Sequence, residues 1–195
     1  MLENLLNTKL LWYNIPIDIK GNIMPSKNVL VADNQQERLD WWIVGFVDGE
    51  GTFSVSFNRN KTTKFGYQIF PEFVITQGEK SLNCLKIIQK RFNCGKIYIN
   101  RRHDNHNENL YRFAVRSFQE LNTKIIPFFQ LNQLKTAKKD DFKKFCQIME
   151  IMEKKQHLEK YGRNRIKRIC ETMNRCQSRI LRDYTSNSEK SSEKI

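Results

Sequence analysis

The residues best able to do chemistry lie in one short run, Ile43-Val44-Gly45-Phe46-Val47-Asp48-Gly49-Glu50-Gly51-Thr52-Phe53. Gly45 and Gly49 stand four apart on a helical period, where missing side chains let another backbone approach closely. Asp48 and Glu50 fall at the C-terminal end of that helix, where partial negative charge gathers on free carbonyls. Carboxylates there need a cation to offset the repulsion. A hard divalent ion held between carboxylate and carbonyl oxygens is the natural one, which predicts Mg²⁺.

Other chemistries are weaker. His103-Asp104-Asn105-His106-Asn107 invites a zinc or HNH-nuclease reading, but no Cys pair and no strand-then-helix frame accompany it, so a hydrated loop between two strands is expected. No glycine loop that could cradle phosphates is present, which argues against ATP. The cysteines, Cys84, Cys94, Cys146, Cys170 and Cys176, are odd in number and lack a C-x-x-C pair. Reduced thiols in a reducing compartment are expected.

The elements that must hold these residues follow from periodicity. Leu39, Trp42, Ile43, Phe46 and Val47 recur at three- and four-residue spacing, predicting a helix from about Gln35 to Asp48 with Asp33 or Asn34 as cap. Thr52 to Asn58 alternates, with Phe53, Val55 and Phe57 on one face and Thr52, Ser54, Ser56 and Asn58 on the other. A second strand is expected from Gly66 to Thr76, with Pro71 suggesting an edge or a bulge. A helix over Lys80 to Phe92, strands over Lys96 to Arg101 and Leu110 to Ser117, and a helix over Phe118 to Gln130 interrupted at Pro127 complete the pattern. Lys138 to Arg182 reads as helical with a break at Tyr161-Gly162, and His157 as a structural residue of that junction.

The order predicts an α+β fold: a small, mostly antiparallel four-stranded sheet with helices on its apolar face and a polar, basic face left free. Residues 1–32 read as an irregular N-terminal arm, 33–182 as the functional domain with basic C-terminal helices, and 183–195 as a frayed tail. The 195 residues carry a net charge of +13, more than half of it in the C-terminal helices, which points to a polyanionic partner. No stretch approaches the roughly 18 apolar residues of a membrane-spanning helix, so no membrane partner is expected.

The run from Ile43 to Phe53 resembles the signature of the LAGLIDADG homing endonucleases, with Glu50 in the place of the last acidic residue and Gly51 closing it. Val74-Ile75-Thr76-Gln77, the helix after it, Ile126-Pro127-Phe128-Phe129 and Leu134-Lys135-Thr136 recur in order, extending the resemblance over about Gln35 to Asn174. The resemblance implies a saddle-shaped DNA-binding sheet and a sequence-specific double-strand DNA endonuclease of the intron-homing type. It would cut both strands of a long pseudo-palindromic site across the minor groove. One signature copy implies a homodimer packed through Val44, Gly45, Asp48 and Gly49; packing of the two glycines within one monomer is the alternative.

The same resemblance implies that Glu50 of each subunit, with the Gly49 carbonyl, holds Mg²⁺ against a scissile phosphate. Asp48 is expected to hydrogen-bond at the helix end in preference to binding metal. Gln77 is matched to a polar residue that orients the attacking water, and Lys135 to the basic residue near the leaving group, with Lys138 and Lys80 as rivals. The polar face would read bases in the major groove. Alternation nominates Ser54, Ser56, Asn58, Gln68, Phe70, Glu72 and Val74, the turn residues Asn60, Thr62 and Thr63, then Tyr98, Asn100, Arg101, Arg112 and Arg116. Phe70 and Val74 either meet thymine methyls or pack under the N-terminal arm.

An RNA maturase on the same fold, with intron RNA as partner, is the second functional expectation, and intact Glu50 and Gln77 favour the nuclease over it. A catalytically silent DNA-binding regulator is a third. Abundant Lys, Asn and Ile fit an AT-rich gene, and the absence of a clear transit peptide fits synthesis inside a chloroplast or mitochondrion.

Overall fold

The period-two alternation of residues 51–59 becomes the first strand of a single antiparallel sheet in the computed structural model, which describes residues 27–100 and 109–173. The strands are Gly51–Arg59 (β1), Tyr67–Gly78 (β2), Lys96–Asn100 (β3) and Leu110–Val115 (β4), in the order β1-β2-β4-β3. The expected N-terminal arm up to residue 26, the loop of His103 and His106 with Arg101, Cys176 and the C-terminal tail lie outside the described residues. The chain divides into two units, residues 1–41 and 42–195, and the sheet with its core belongs to the second.

Register sorts the two faces. Phe53 pairs with Phe73, Val55 with Pro71 and Phe57 with Ile69, while Thr52 pairs with Val74, Ser54 with Glu72, Ser56 with Phe70 and Asn58 with Gln68. The first set packs beneath helices. Phe53 stacks on Phe73 with centroids 5.0 Å apart and meets Phe129 edge-on at 5.4 Å, and Phe142 and Phe145 close over the same ring. Each such pair adds about 0.5–1.5 kcal/mol to the area it buries. The α+β fold class with helices on one sheet face is as expected.

The helices are Lys27–Glu50 (α1), Leu82–Phe92 (α2), Phe118–Glu120 (α3), Ile126–Leu131 (α4), Lys138–Glu153 (α5) and Lys160–Glu171 (α6). Ile43 and Val47, one turn apart, are fully buried and anchor the C-terminal half of α1. Ser117 starts α3 by accepting a hydrogen bond from the Glu120 N–H.

The structure corrects the sequence reading at several points. α1 begins at Lys27 instead of near Gln35, so Asp33 and Asn34 lie inside the helix and do not cap it, and residues 27–32, expected in the irregular arm, are helical. Pro127 does not interrupt the chain. A π turn, Leu121–Ile125, precedes it, with the Ile126 N–H donating to Leu121 O, and this wider turn makes room for the proline ring. The break between α5 and α6 comes earlier than Tyr161-Gly162, at residues 154–159, around a 3₁₀ turn, Gln156–Leu158. Gly162 sits inside α6 because a Cβ there would lie 2.0 Å from Gln156 O. Pro71 is in a central strand, but past the last β2–β4 pair, Phe73 with Val115, so the strand is flanked on one side only at that point.

No helix among the described residues is long and apolar enough to cross a membrane. Cys84, Cys94 and Cys146 are free thiols, and burial pushes those of Cys94 and Cys146 up to about 11. The thiols of Cys94 and Cys146 therefore remain protonated and unreactive at neutral pH.

Candidate functional site

The helix-to-strand corner at Glu50 and Gly51 requires glycine. A Cβ on Gly51 would stand 2.6 Å from Val47 Cγ1 and 2.9 Å from Val47 O. Gly45 and Gly49 are different: both are exposed, and a Cβ on either would meet nothing within 4 Å. Among the described residues they serve no close packing. Val44, expected at the same interface, is buried in the chain's own core and leaves little surface for a partner.

The loop leading into α5 docks on this corner through Asp48. Its Oδ2 accepts the Lys135 N–H at 2.7 Å, and its Oδ1 accepts the Thr136 hydroxyl at 2.7 Å and the Thr136 N–H at 3.3 Å. Burial pushes the Asp48 carboxyl up, but these bonds and the nearby charge of Lys138 prevail and hold it below the usual aspartate value. Asp48 is thus occupied in holding the loop.

That docking delivers Lys138, in the first turn of α5, to the carbonyl end of α1. Its Nζ donates to Val47 O at 2.8 Å and to Gly49 O at 3.3 Å. Burial pulls the ammonium below the ordinary lysine range, against the opposing influence of Asp48, Glu50 and Asp141. A cation is already drawn to the carbonyls left free by the helix end, which is the electrostatics the sequence suggested. Lys135, by contrast, engages the corner through its backbone, and its side chain is exposed. Lys80 lies in the 3₁₀ turn Glu79–Ser81 after β2 and is exposed.

Gly51 pairs with Ile75, so the antiparallel register brings the end of β2, with Gln77, to the same end of the sheet as Gly49 and Glu50. Gln77 pairs with Tyr111 and is half-buried. Among the described residues no three His, Cys, Asp or Glu side chains cluster as a metal site. One exposed carboxylate, Glu50, beside the Gly49 carbonyl is an all-oxygen set suited to a hard divalent ion that also takes ligands from outside the chain.

The outer face of the sheet holds most of the other nominated residues. The β1–β2 turn is locked from within: Asn60 Oδ1 accepts from the Thr62 N–H and hydroxyl, Asn60 Nδ2 donates to Gln68 Oε1, and the Thr63 hydroxyl donates to Asn60 O and Tyr67 O. From α6, Arg163 donates to Tyr67 O at 2.7 Å and stacks 4.9 Å from the Phe65 ring centroid. Sequence reading missed this brace, since no local pattern links residues so distant. Farther along, Glu72 binds Arg112 and Arg116, and a cavity of about 280 Å³ opens between Thr52, Ser54, Val74, Thr76 and Arg112. Val74 is only 7% exposed and offers little of itself to a ligand. Ser56 donates to Phe70 O, and Asn58 and Gln68 are exposed; Asn100 ends β3.

The LAGLIDADG endonuclease family model matches residues 43–149. The chain belongs to the LAGLIDADG endonuclease family. The match runs from the buried half of α1 to Met149 in α5, so the LAGLIDADG segment contains the α1 corner, the whole sheet and Lys138, while Arg163 in α6 lies beyond it. A probable intron-encoded endonuclease of Neurospora crassa is 32% identical over 143 residues, covering 72% of this chain and 26% of its own length. The crystal structure of the homing endonuclease I-TnaI aligns with 38% identity and a TM-score of 0.67 over 76% of this chain and 96% of its own. I-SmaMI bound to an uncleaved DNA target in the presence of calcium ions aligns with 29% identity and a TM-score of 0.66, over 74% of this chain and 48% of its own. The chain therefore spans about a quarter of the curated LAGLIDADG relative but nearly all of I-TnaI.

Proposed function

We propose that the protein is a site-specific double-strand DNA endonuclease that works as a homodimer, with DNA lying on the outer face of the sheet. The observation that carries this reading is the α1 corner, where Glu50, the Gly49 carbonyl and the Lys138 ammonium meet at the end of a basic-flanked, polar sheet. I-SmaMI, a DNA-bound relative, matches over only half its length, as expected if that protein uses twice a domain that this chain supplies once. Gly45 and Gly49, open to a second copy, are the surface on which the dimer would close.

Glu50 and the Gly49 carbonyl would hold Mg²⁺, whose bound form supplies Lewis-acid polarisation of a phosphodiester. The calcium-containing I-SmaMI complex supports a divalent metal of the same charge. Lys138 holds a proton beside the same corner and is the better placed of the three lysines to give it to a leaving oxygen. Its pKa, lowered by burial, makes that transfer easier than from an ordinary lysine. Gln77 would orient water from the neighbouring strand end. Asp48 and Lys135, through the loop they join, position Lys138. The intron-encoded relative from Neurospora crassa supports an intron-encoded origin, with synthesis inside an organelle as the proposed setting.

The test is cleavage of a randomised duplex library by the full chain in Mg²⁺, beside Ca²⁺ and the Glu50→Gln variant, with products sequenced. Paired cuts around a two-fold centre, lost in the variant, are expected. Binding without cleavage would overturn the nuclease reading and make intron RNA the next ligand to assay.

A further inference from the structure

An acidic side chain on a face meant for DNA calls for a reason. Glu72, in β2, is 16% exposed at its side chain, and both carboxylate oxygens are engaged: Oε1 by Arg112 Nη2 and Oε2 by Arg116 Nε at 3.0 Å. With both oxygens held, the carboxylate cannot rotate, and it fixes the plane of the Arg116 guanidinium. Two aromatic rings complete the mount. Arg116 Cζ lies 5.1 Å from the Tyr98 ring centroid and 6.0 Å from that of Phe70, so β2 and β3 together grip a side chain that stands just past the end of β4.

Nε is the atom spent on Glu72. The two terminal nitrogens, Nη1 and Nη2, take part in none of these contacts and form the pair of parallel donors that suits a guanine's O6 and N7. A phosphate is the wrong ligand for this position, because it would sit beside the Glu72 carboxylate and repel it. A neutral base edge carries no such penalty. Fixing the side chain before binding also removes much of the rotamer entropy that an arginine loses on contact.

We infer that Arg116 reads one guanine in each half of the target through its Nη1–Nη2 edge, and that Glu72, Phe70 and Tyr98 are the positioning residues that aim it. The inference rests on the DNA-binding reading above and goes beyond it by naming the base and the side chain that selects it.

The experiment is binding selection of randomised duplexes by the full chain in Ca²⁺, for wild type, Arg116→Lys and Glu72→Gln, with melting curves to confirm folding. Wild type is expected to enrich guanine at one position per half-site. Arg116→Lys keeps the charge and loses the fork, so that enrichment should fall by about ten- to a hundredfold while every other position keeps its preference. Glu72→Gln should weaken the same position by a smaller factor, with a second effect only at the position under Arg112, which the same carboxylate holds, and it decides the matter if Arg116→Lys fails to fold. Two results overturn the inference alone: an unchanged guanine preference in the variants, or a uniform loss of affinity across all sequences, the mark of a phosphate contact. Failure of wild type to select any duplex would instead overturn the DNA-binding reading, and this inference with it.

Discussion

At the α1 corner a cation is held by backbone, and on the outer sheet face cations are held by a side chain. Lys138 donates to Val47 O and Gly49 O, atoms that every residue possesses, while Arg112 and Arg116 depend on Glu72, an acid that one substitution removes. The first arrangement is insensitive to sequence drift around it, which suits chemistry that is the same for every phosphodiester. The second is easily rewritten, which suits recognition of one particular site. On the proposed reading, catalysis and recognition are thus separated by the kind of atom that does the holding.

The sharpest break of that contrast is Glu50→Gln. It should lower cleavage on the order of a thousandfold or more while duplex binding in Ca²⁺ is retained, measured by nicking assays and gel shift. Next is Lys138→Met, expected to cost roughly a hundredfold in cleavage rate with the site preference unchanged. A pH profile refines it. Burial lowers the Lys138 pKa, so the proton it donates is lost as pH rises through that lowered value, and cleavage should decline below the ordinary lysine value of 10.5. In Lys138→Arg that decline should move to higher pH.

Asp48→Asn should have a smaller effect, about 1–2 kcal/mol of stability by denaturant titration, because three donors lose a charged acceptor. The sign with pH follows: the Asp48 pKa is lowered in the folded chain, so its contribution is complete above the unfolded value near 3.8 and disappears as pH falls through the folded one. The smallest effect belongs to Asn60→Ala, which loosens an exposed turn. It should cost less than about 1 kcal/mol in stability and blur selection only at positions under the hairpin tip, as read by the same library selection.

How legible these features were depends on the range of the force that makes them. β1 could be read within a residue or so, because Phe53, Val55 and Phe57 alternate against hydroxyls and burial on one face enforces that period. The corner at Glu50 and Gly51 was legible too, since the steric demand for glycine at Gly51 marks the sequence directly. The start of α1 was not: Asp33 and Asn34 are good caps in isolation, yet helix continues through them. Gly162 misled for a related reason, because glycine marks a close approach to Gln156 as readily as a chain break. The choice among Lys135, Lys138 and Lys80 could not be made from spacing. Lys138 is favoured in the proposed reading by its contact with Val47, a residue far away in sequence. The Glu72 network had a signal that was passed over. Alternation puts residues 72, 112 and 116 on one face, and opposite charges on adjacent strands of one face attract.

Asp48 joins Lys135 across 87 positions of sequence. A contact of such span closes a long loop, whose entropy is lost before the bond can offset it. Phe142 and Phe145 of α5 also cover Phe53 of β1, and Arg163 of α6 braces the β1–β2 turn, so the sheet is complete only when both helices have left the ribosome. On the proposed reading, the bond that sets Lys138 at the corner and the packing that finishes the recognition face are therefore acquired together, late in the synthesis of each molecule.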